Sequence, residues 1–243
     1  MKSLSYLFLF IFSVSCSSCS EGMEPESPSS EMGEPSHNQL TAAERNAGWT
    51  LLFDGESTDG WRNYKSDTME GWVAEEGVLK TSGGNGDIIS EGQYSEFELS
   101  VDWRIEEQGN SGIFYFVVEK EGVSRIHETG PEFQIIDENN YPVDLQPNQV
   151  TGSLSDVYPP YELLSNPPGE WNTAKVVVEG ASVEHWLNGT LILAFTMDTP
   201  EWEQAVEGSK FDAIHYAVAR TGHLAFQDHG NTVEYRTIKI REL

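Results

Sequence analysis

The chain has 243 residues, 40 acidic against 14 basic, for a formal net charge of −26. That balance argues against nucleic acid or an anionic lipid surface as a partner, and it names no ligand, because acidic surfaces often serve solubility alone. Both cysteines, Cys16 and Cys19, lie near the N-terminus, so the body must be held by its apolar core rather than by a disulfide framework.

Met1-Lys2-Ser3 precedes the apolar run Leu4 to Val14 (LSYLFLFIFSV). A lone lysine before a short apolar run has the shape of a secretory signal, and the run is too short to span a bilayer. Polar sequence directly after it argues against a buried strand or helix. Ser13-Val14-Ser15-Cys16 resembles a lipobox in which Ser13 replaces the expected aliphatic residue, and Cys19 is the alternative acceptor. An ordinary signal peptide with incidental cysteines is the other reading. Residues 1–19 are thus expected to form a lipoprotein signal peptide. Residues 20–40, rich in Ser, Glu and Pro and without aromatic residues, read as a flexible tether. Residues 41–243 form the folded domain.

Thr41-Ala-Ala-Glu44 is a capping-box pattern, so a short helix runs from Thr41 to about Ala47 and stops at Gly48. Strands follow. Trp49–Phe53 leads into an Asp54-Gly55 turn, and Gly71–Thr81 reads as a hairpin turning at Glu76-Gly77. Phe97–Ile105 alternates cleanly, with Phe97, Leu99, Val101, Trp103 and Ile105 on one face and Glu98, Ser100, Asp102 and Arg104 on the other. Gly112–Val118 is apolar on both faces, as in a central strand, and Pro131–Asp137 follows it. Trp171–Phe195 contains Glu179-Gly180 and Asn188-Gly189, the second being the strongest hairpin signal in the chain. Gly222–Gly230 and Thr232–Leu243 are the last strands, and Pro200–Gly208 is helical. The loop from Glu138 to Glu170 holds six prolines, and loops of that length are usually functional. Many short strands with Gly-rich turns mean an all-β sandwich or barrel.

Phe53-Asp54-Gly55, Gly60-Trp61 and Trp72 with Gly77 resemble the opening of the 3-keto-disaccharide hydrolase domain. The likeness continues through Phe97 to Arg104, Asn110-Ser111-Gly112-Ile113, Glu132-Phe133-Gln134-Ile135-Ile136-Asp137 and Thr151-Gly152. It extends to Glu170-Trp171-Asn172, His185-Trp186-Leu187-Asn188-Gly189 and Gly222 through Gly230, and so covers the whole body in order. The resemblance implies a concanavalin A-like jelly roll, a sandwich of two antiparallel sheets. It also implies action on sugars whose 3-hydroxyl has been oxidised to a ketone. The ketone acidifies the C2 proton; its removal lets the C1 substituent leave, and water then adds. Such chemistry needs a general base, an acid for the leaving group and donors for the enolate oxygen. The family pattern has a histidine in the loop after Asp137, where Tyr141 stands here. The implied location is the bacterial cell envelope, lipid-anchored and facing the periplasm or the outer membrane. The membrane is then met only through the anchor.

Glu132 and Gln134 share a strand face, with Phe133 and Ile135 opposite them and Asp137 of the wrong parity unless the strand ends first. Arg104, beside Asp102, could steady an oxyanion or form a cross-strand ion pair. If its strand neighboured that of Glu132, it would hold that carboxylate ionised. Gln227, Asp228 and His229 set an amide, a carboxylate and an imidazole at a strand end, or form the last hairpin turn. Asn110 and Ser111 are sugar contacts or turn residues. Trp171 is the best candidate for a sugar platform, whereas Trp103 and Trp186 read as core, although Trp186 shares a face with Glu184 and Asn188. Catalytic roles accordingly fall to Glu132, Asp137, His229 and Arg104, and substrate contacts to Gln134, Asn110, Ser111, Trp171, Gln227 and Asp228. No metal-ligand spacing is present and no cofactor is expected, with a divalent metal left open. The reading is an exported enzyme cleaving 3-keto glycosides; the alternative is a non-catalytic carbohydrate-binding module on the same fold.

Overall fold

Two antiparallel sheets face each other across the apolar residues that the alternation marks. The computed structural model describes residues 37–243. The expected signal peptide, both candidate acylation cysteines and most of the expected tether lie outside the described residues. Helix α1 (Ala42–Asn46) opens with the expected capping box between Thr41 and Glu44, and α2 (Pro200–Glu207) is capped by Thr199. The strands are β1 (Thr50–Leu51), β2 (Trp61–Asn63), β3 (Trp72–Glu75), β4 (Val78–Thr81), β5 (Ile88–Tyr94), β6 (Phe97–Ile105) and β7 (Asn110–Val117). They continue with β8 (Glu132–Ile136), β9 (Asn172–Glu179), β10 (Ser182–Leu187), β11 (Thr190–Thr196), β12 (Gly222–Phe226) and β13 (Val233–Glu242).

The larger sheet runs β11-β10-β9-β6-β13-β4-β3, with β1 also paired to β13. The smaller runs β2-β5-β12-β7-β8. This is the expected all-β jelly-roll sandwich. The β3–β4 and β10–β11 turns carry positive φ at Glu76-Gly77 and Asn188-Gly189, the conformation a two-residue hairpin needs. Strands β2 and β5 were not legible as strands, and the expected Gly222–Gly230 strand ends at Phe226. Residues 227–230 instead form a loop, so that stretch is a turn joining β12 to β13.

The core fills the space between the sheets with Phe97, Trp103, Tyr115, Phe133 and Tyr235, each almost fully buried. Strand β6 alternates buried and half-buried along its whole length, as its sequence requires. Trp186, by contrast, faces outward: its indole N–H donates to the Glu184 carboxylate at 2.7 Å, and the Lys175 ammonium lies 4.1 Å from its ring centre.

His185 is a polar member of the core and is fully buried. Its Nδ1–H donates to the Gly152 carbonyl at 3.0 Å, and its Nε2 accepts from the Tyr115 hydroxyl at 3.2 Å. It therefore ties β10 of the larger sheet to β7 of the smaller and to the loop after β8. Burial holds its pKa down to about 4, against an ordinary 6.5. A depressed histidine contributes stability that is present above 6.5 and lost as pH falls through about 4. Unfolding free energy should fall by roughly 3 kcal/mol from this group alone over that window. Chemical denaturation of wild type and His185→Phe at a series of pH values checks it. The gap between them should narrow on acidification, and a gap independent of pH would contradict the account.

Candidate active site

Alternation on β8 turns Phe133 and Ile135 into the core and Glu132, Gln134 and Ile136 onto the outer face of the smaller sheet. There they form the floor of a cavity of about 650 Å³. On the neighbouring strand, Phe114, Gly112 and Asn110 pair with Glu132, Gln134 and Ile136. Gly112 leaves room for the Glu132 carboxyl: a Cβ there would come within 2.3 Å of Glu132 Oε1. Asn110 Nδ2 donates to the Tyr141 hydroxyl at 3.2 Å, so both also face the cavity.

The walls come from loops. Asp87 and Gly86 precede β5, Arg125 and His127 precede β8, and Ser155 and Asp156 follow it. Lys210 comes from the segment after α2, and Gln227, Asp228 and His229 from the β12–β13 loop. Lys210 is paired with Asp156, which also accepts from Gln149 Nε2 at 2.6 Å. Glu132 forms no ion pair among the described residues.

These surroundings separate the carboxyl groups. Burial pushes Glu132 up to about 8; a Ser155 hydrogen bond and the Lys210 charge oppose it, and the Asp156 and Asp87 charges add to it. Burial also raises Asp87, to about 6, opposed by the hydrogen bond from the Asp228 N–H. Near neutral pH, then, Glu132 holds a proton and Asp87 does not. Burial, helped by the nearby Lys210 and Arg125 charges, lowers His127 and keeps its imidazole neutral. The cavity thus offers a proton donor, proton acceptors and cations within one space, the set that acid–base chemistry uses.

Of the residues singled out in the sequence, Glu132, Gln134, Asn110, Gln227, Asp228 and His229 line this cavity. Asp228 is also a structural clamp. Its carboxylate accepts from the N–H groups of Gly84, Asn85 and Gly230 at 2.9, 2.6 and 2.9 Å, binding two loops together. Ser111 points to the core side, where its hydroxyl donates to the Gln227 carbonyl at 2.7 Å and holds that loop from beneath.

Three residues stand elsewhere. Asp137 follows the end of β8 and its carboxylate is taken up by the N–H groups of Gln108, Asn139 and Asn140, closing a turn. Arg104 lies on the outer face of the larger sheet, paired with Glu234. Its strand pairs with β9 and β13, not β8, so it cannot hold Glu132 ionised. Trp171 lies on that same face, with the Arg236 and Arg104 guanidinium carbons 3.8 and 4.7 Å from its ring centre, and is no sugar platform in the cavity. Asp87, Arg125, His127, Ser155 and Lys210 were not anticipated. They sit in loops where no periodicity marks a face. Tyr141 and His127 both line the cavity, the imidazole entering from the loop before β8. Among the described residues, no group of three or more His, Cys, Asp or Glu is gathered in a way that could hold a metal ion.

Fold and cavity together define a jelly-roll domain with a polar, carboxyl-lined site on one sheet. Residues 48–241 match the 3-keto-alpha-glucoside-1,2-lyase-like domain, and the chain belongs to that family. A 3-keto-disaccharide hydrolase of Bacteroides thetaiotaomicron is 29% identical over 272 aligned positions, covering 95% of this chain and 94% of the relative. A candidate glycosyl hydrolase of Parabacteroides distasonis, solved by crystallography, is 38% identical with a TM-score of 0.83, covering 86% of this chain and all of its own. A second from the same organism is 26% identical with a TM-score of 0.60, covering 81% of this chain and 84% of its own.

The raised Glu132 pKa makes a stability statement. The unfolded carboxyl titrates near 4.5 and the folded one near 8, so its contribution is full below 4.5 and is lost as pH rises through about 8. Glu132→Gln removes that loss. The melting temperature of the variant should gain on wild type steadily from pH 5 to pH 8, by an amount equivalent to a few kcal/mol. Equal pH dependence in the two proteins would contradict it.

Proposed function

We propose that this protein cleaves glycosides of 3-keto sugars by elimination and hydration. The observation that carries the reading is the divided pair of carboxyls in one cavity, Glu132 titrating at about 8 and Asp87 at about 6. Asp87, ionised, takes the C2 proton that the adjacent ketone has acidified. The electron pair moves to the C3 oxygen as an enolate, which the Arg125 guanidinium at the cavity wall can stabilise. The enolate then collapses. The C1–O bond breaks, a C1–C2 double bond forms, and protonated Glu132 supplies the leaving oxygen with its proton. Water adds at C1 while C2 regains a proton, and the sum is one water inserted into the glycosidic bond. This differs from ordinary glycoside hydrolysis, where two carboxyl groups flank an oxocarbenium-like centre. The family membership and the curated 3-keto-disaccharide hydrolase relative support the substrate class.

The test is product release from a 3-keto glucoside and from its unoxidised parent. Only the keto sugar should be cleaved. Glu132→Gln and Asp87→Asn should each lower kcat/KM by about 10²–10⁴-fold. The wild-type profile of kcat/KM should be bell-shaped, rising through about pH 6 as Asp87 ionises and falling through about pH 8 as Glu132 does. Equal cleavage of both sugars, or activity surviving both substitutions, would overturn the proposal.

A further inference from the structure

The main cavity is not polar all round. Ile136, Tyr141, Val143 and Leu145 line it alongside the charged groups. Ile136 and Glu132 share the outer face of β8 at opposite ends of the strand. At roughly 3.3 Å per residue they stand about 13 Å apart along it. The Tyr141 hydroxyl is bonded to Asn110, the residue that pairs with Ile136, so this loop meets the Ile136 end. The apolar wall therefore lies beyond a sugar ring seated over Glu132.

Packing does not account for these side chains. Tyr141, Val143 and Leu145 join none of the apolar clusters of the core, and Val143 is 62% exposed. Yet the loop that carries them is braced at both ends. The Tyr141 N–H donates to the Asp137 carbonyl at 3.0 Å, and the Asp137 carboxylate takes the N–H groups of Asn139 and Asn140 at 3.3 and 3.2 Å. Further on, the Gln146 N–H donates to Gln149 Oε1 at 3.0 Å, and Gln149 Nε2 donates to Asp156 at 2.6 Å. Pro142 and Pro147 fix φ on either side of Val143 and Leu145. Apolar side chains held in place at a site, and covered by no part of the protein, gain from apolar ligand surface. A hydroxyl-rich group set against them would leave its hydroxyls unpaired.

We propose that this wall receives an apolar leaving group, so that the protein prefers 3-keto glycosides of hydrophobic alcohols or phenols to those of polar alcohols. This rests on the enzymatic reading of the main cavity. The keto ring would lie between Asp87 and Glu132, and the departing group along β8 over Ile136. Apolar surface covered there is remote from the reacting atoms, and that binding energy can serve to orient them.

The test compares kcat/KM for methyl and hexyl 3-keto glucosides, whose alkoxide leaving groups differ in apolar surface and hardly in basicity. The proteins are full-length wild type, Val143→Ser and Leu145→Ser. The hexyl-to-methyl ratio should be at least about tenfold in wild type and should fall about threefold or more in each variant. The ratio is taken within each protein, so a variant that folds incompletely lowers both values and leaves it unchanged. A wild-type ratio near one, or a ratio that both substitutions leave intact, would overturn the apolar subsite and leave the enzyme standing. No turnover of either glucoside by wild type would instead remove the enzymatic reading, and the subsite with it.

Discussion

The site depends on a carboxyl group that the fold desolvates without giving it a counter-charge. Glu132 lies in the floor of the cavity, 5% exposed. The cation best placed to ionise it, Lys210, is bound by Asp156. A buried carboxyl in that position keeps its proton rather than pay the full desolvation of its charge. Much of the nearby structure serves this placement. Gly112 gives the group space against the neighbouring strand. Ser155 lines the cavity beside it and accepts from Gln134 Nε2 at 3.4 Å. The loop carrying Ser155 is fixed by the Gly152 N–H donating to the Gln134 carbonyl at 2.9 Å, and from behind by buried His185.

The two sheets divide the labour. On the outer face of the larger one, cations lie over tryptophans and pair with acids. Arg104 and Arg236 cover Trp171, Lys175 covers Trp186, and Lys239 and Arg241 stand over Trp49. Exposed pairs of this kind add little stability singly, but they take up five cations on that face. In a chain with only 14 basic residues, this makes the two cations of the cavity more informative. Lys210 is held by Asp156, whereas the Arg125 guanidinium has no protein partner among the described hydrogen bonds and ion pairs and faces the cavity.

Much of the sandwich could be read from the chain because its strands expose local rules. The alternation of Phe97–Ile105 survives unchanged in β6, and Asn188-Gly189 forms the tight turn its chemistry demands. Parity also set Glu132 and Gln134 apart from Phe133 and Ile135. What parity cannot convey is which sheet a strand joins. Arg104 occupies a polar face, yet that face belongs to the wrong sheet. Asp137 shows a different limit, since a carboxylate after a strand closes a turn as readily as it serves a site. Asp87, Arg125, His127 and Lys210 come from three separate loops. Only the closure of those loops over β7 and β8 brings them together, and no spacing in the sequence records it.

The most direct measurement is the infrared carbonyl stretch of protonated Glu132, taken as the difference between wild type and Glu132→Gln across a pH series. The expected result is a protonated-carboxyl band present at neutral pH that disappears with a midpoint near 8. A band already absent at pH 6, or one titrating near the ordinary 4.5, would contradict the account and leave the cavity without its acid.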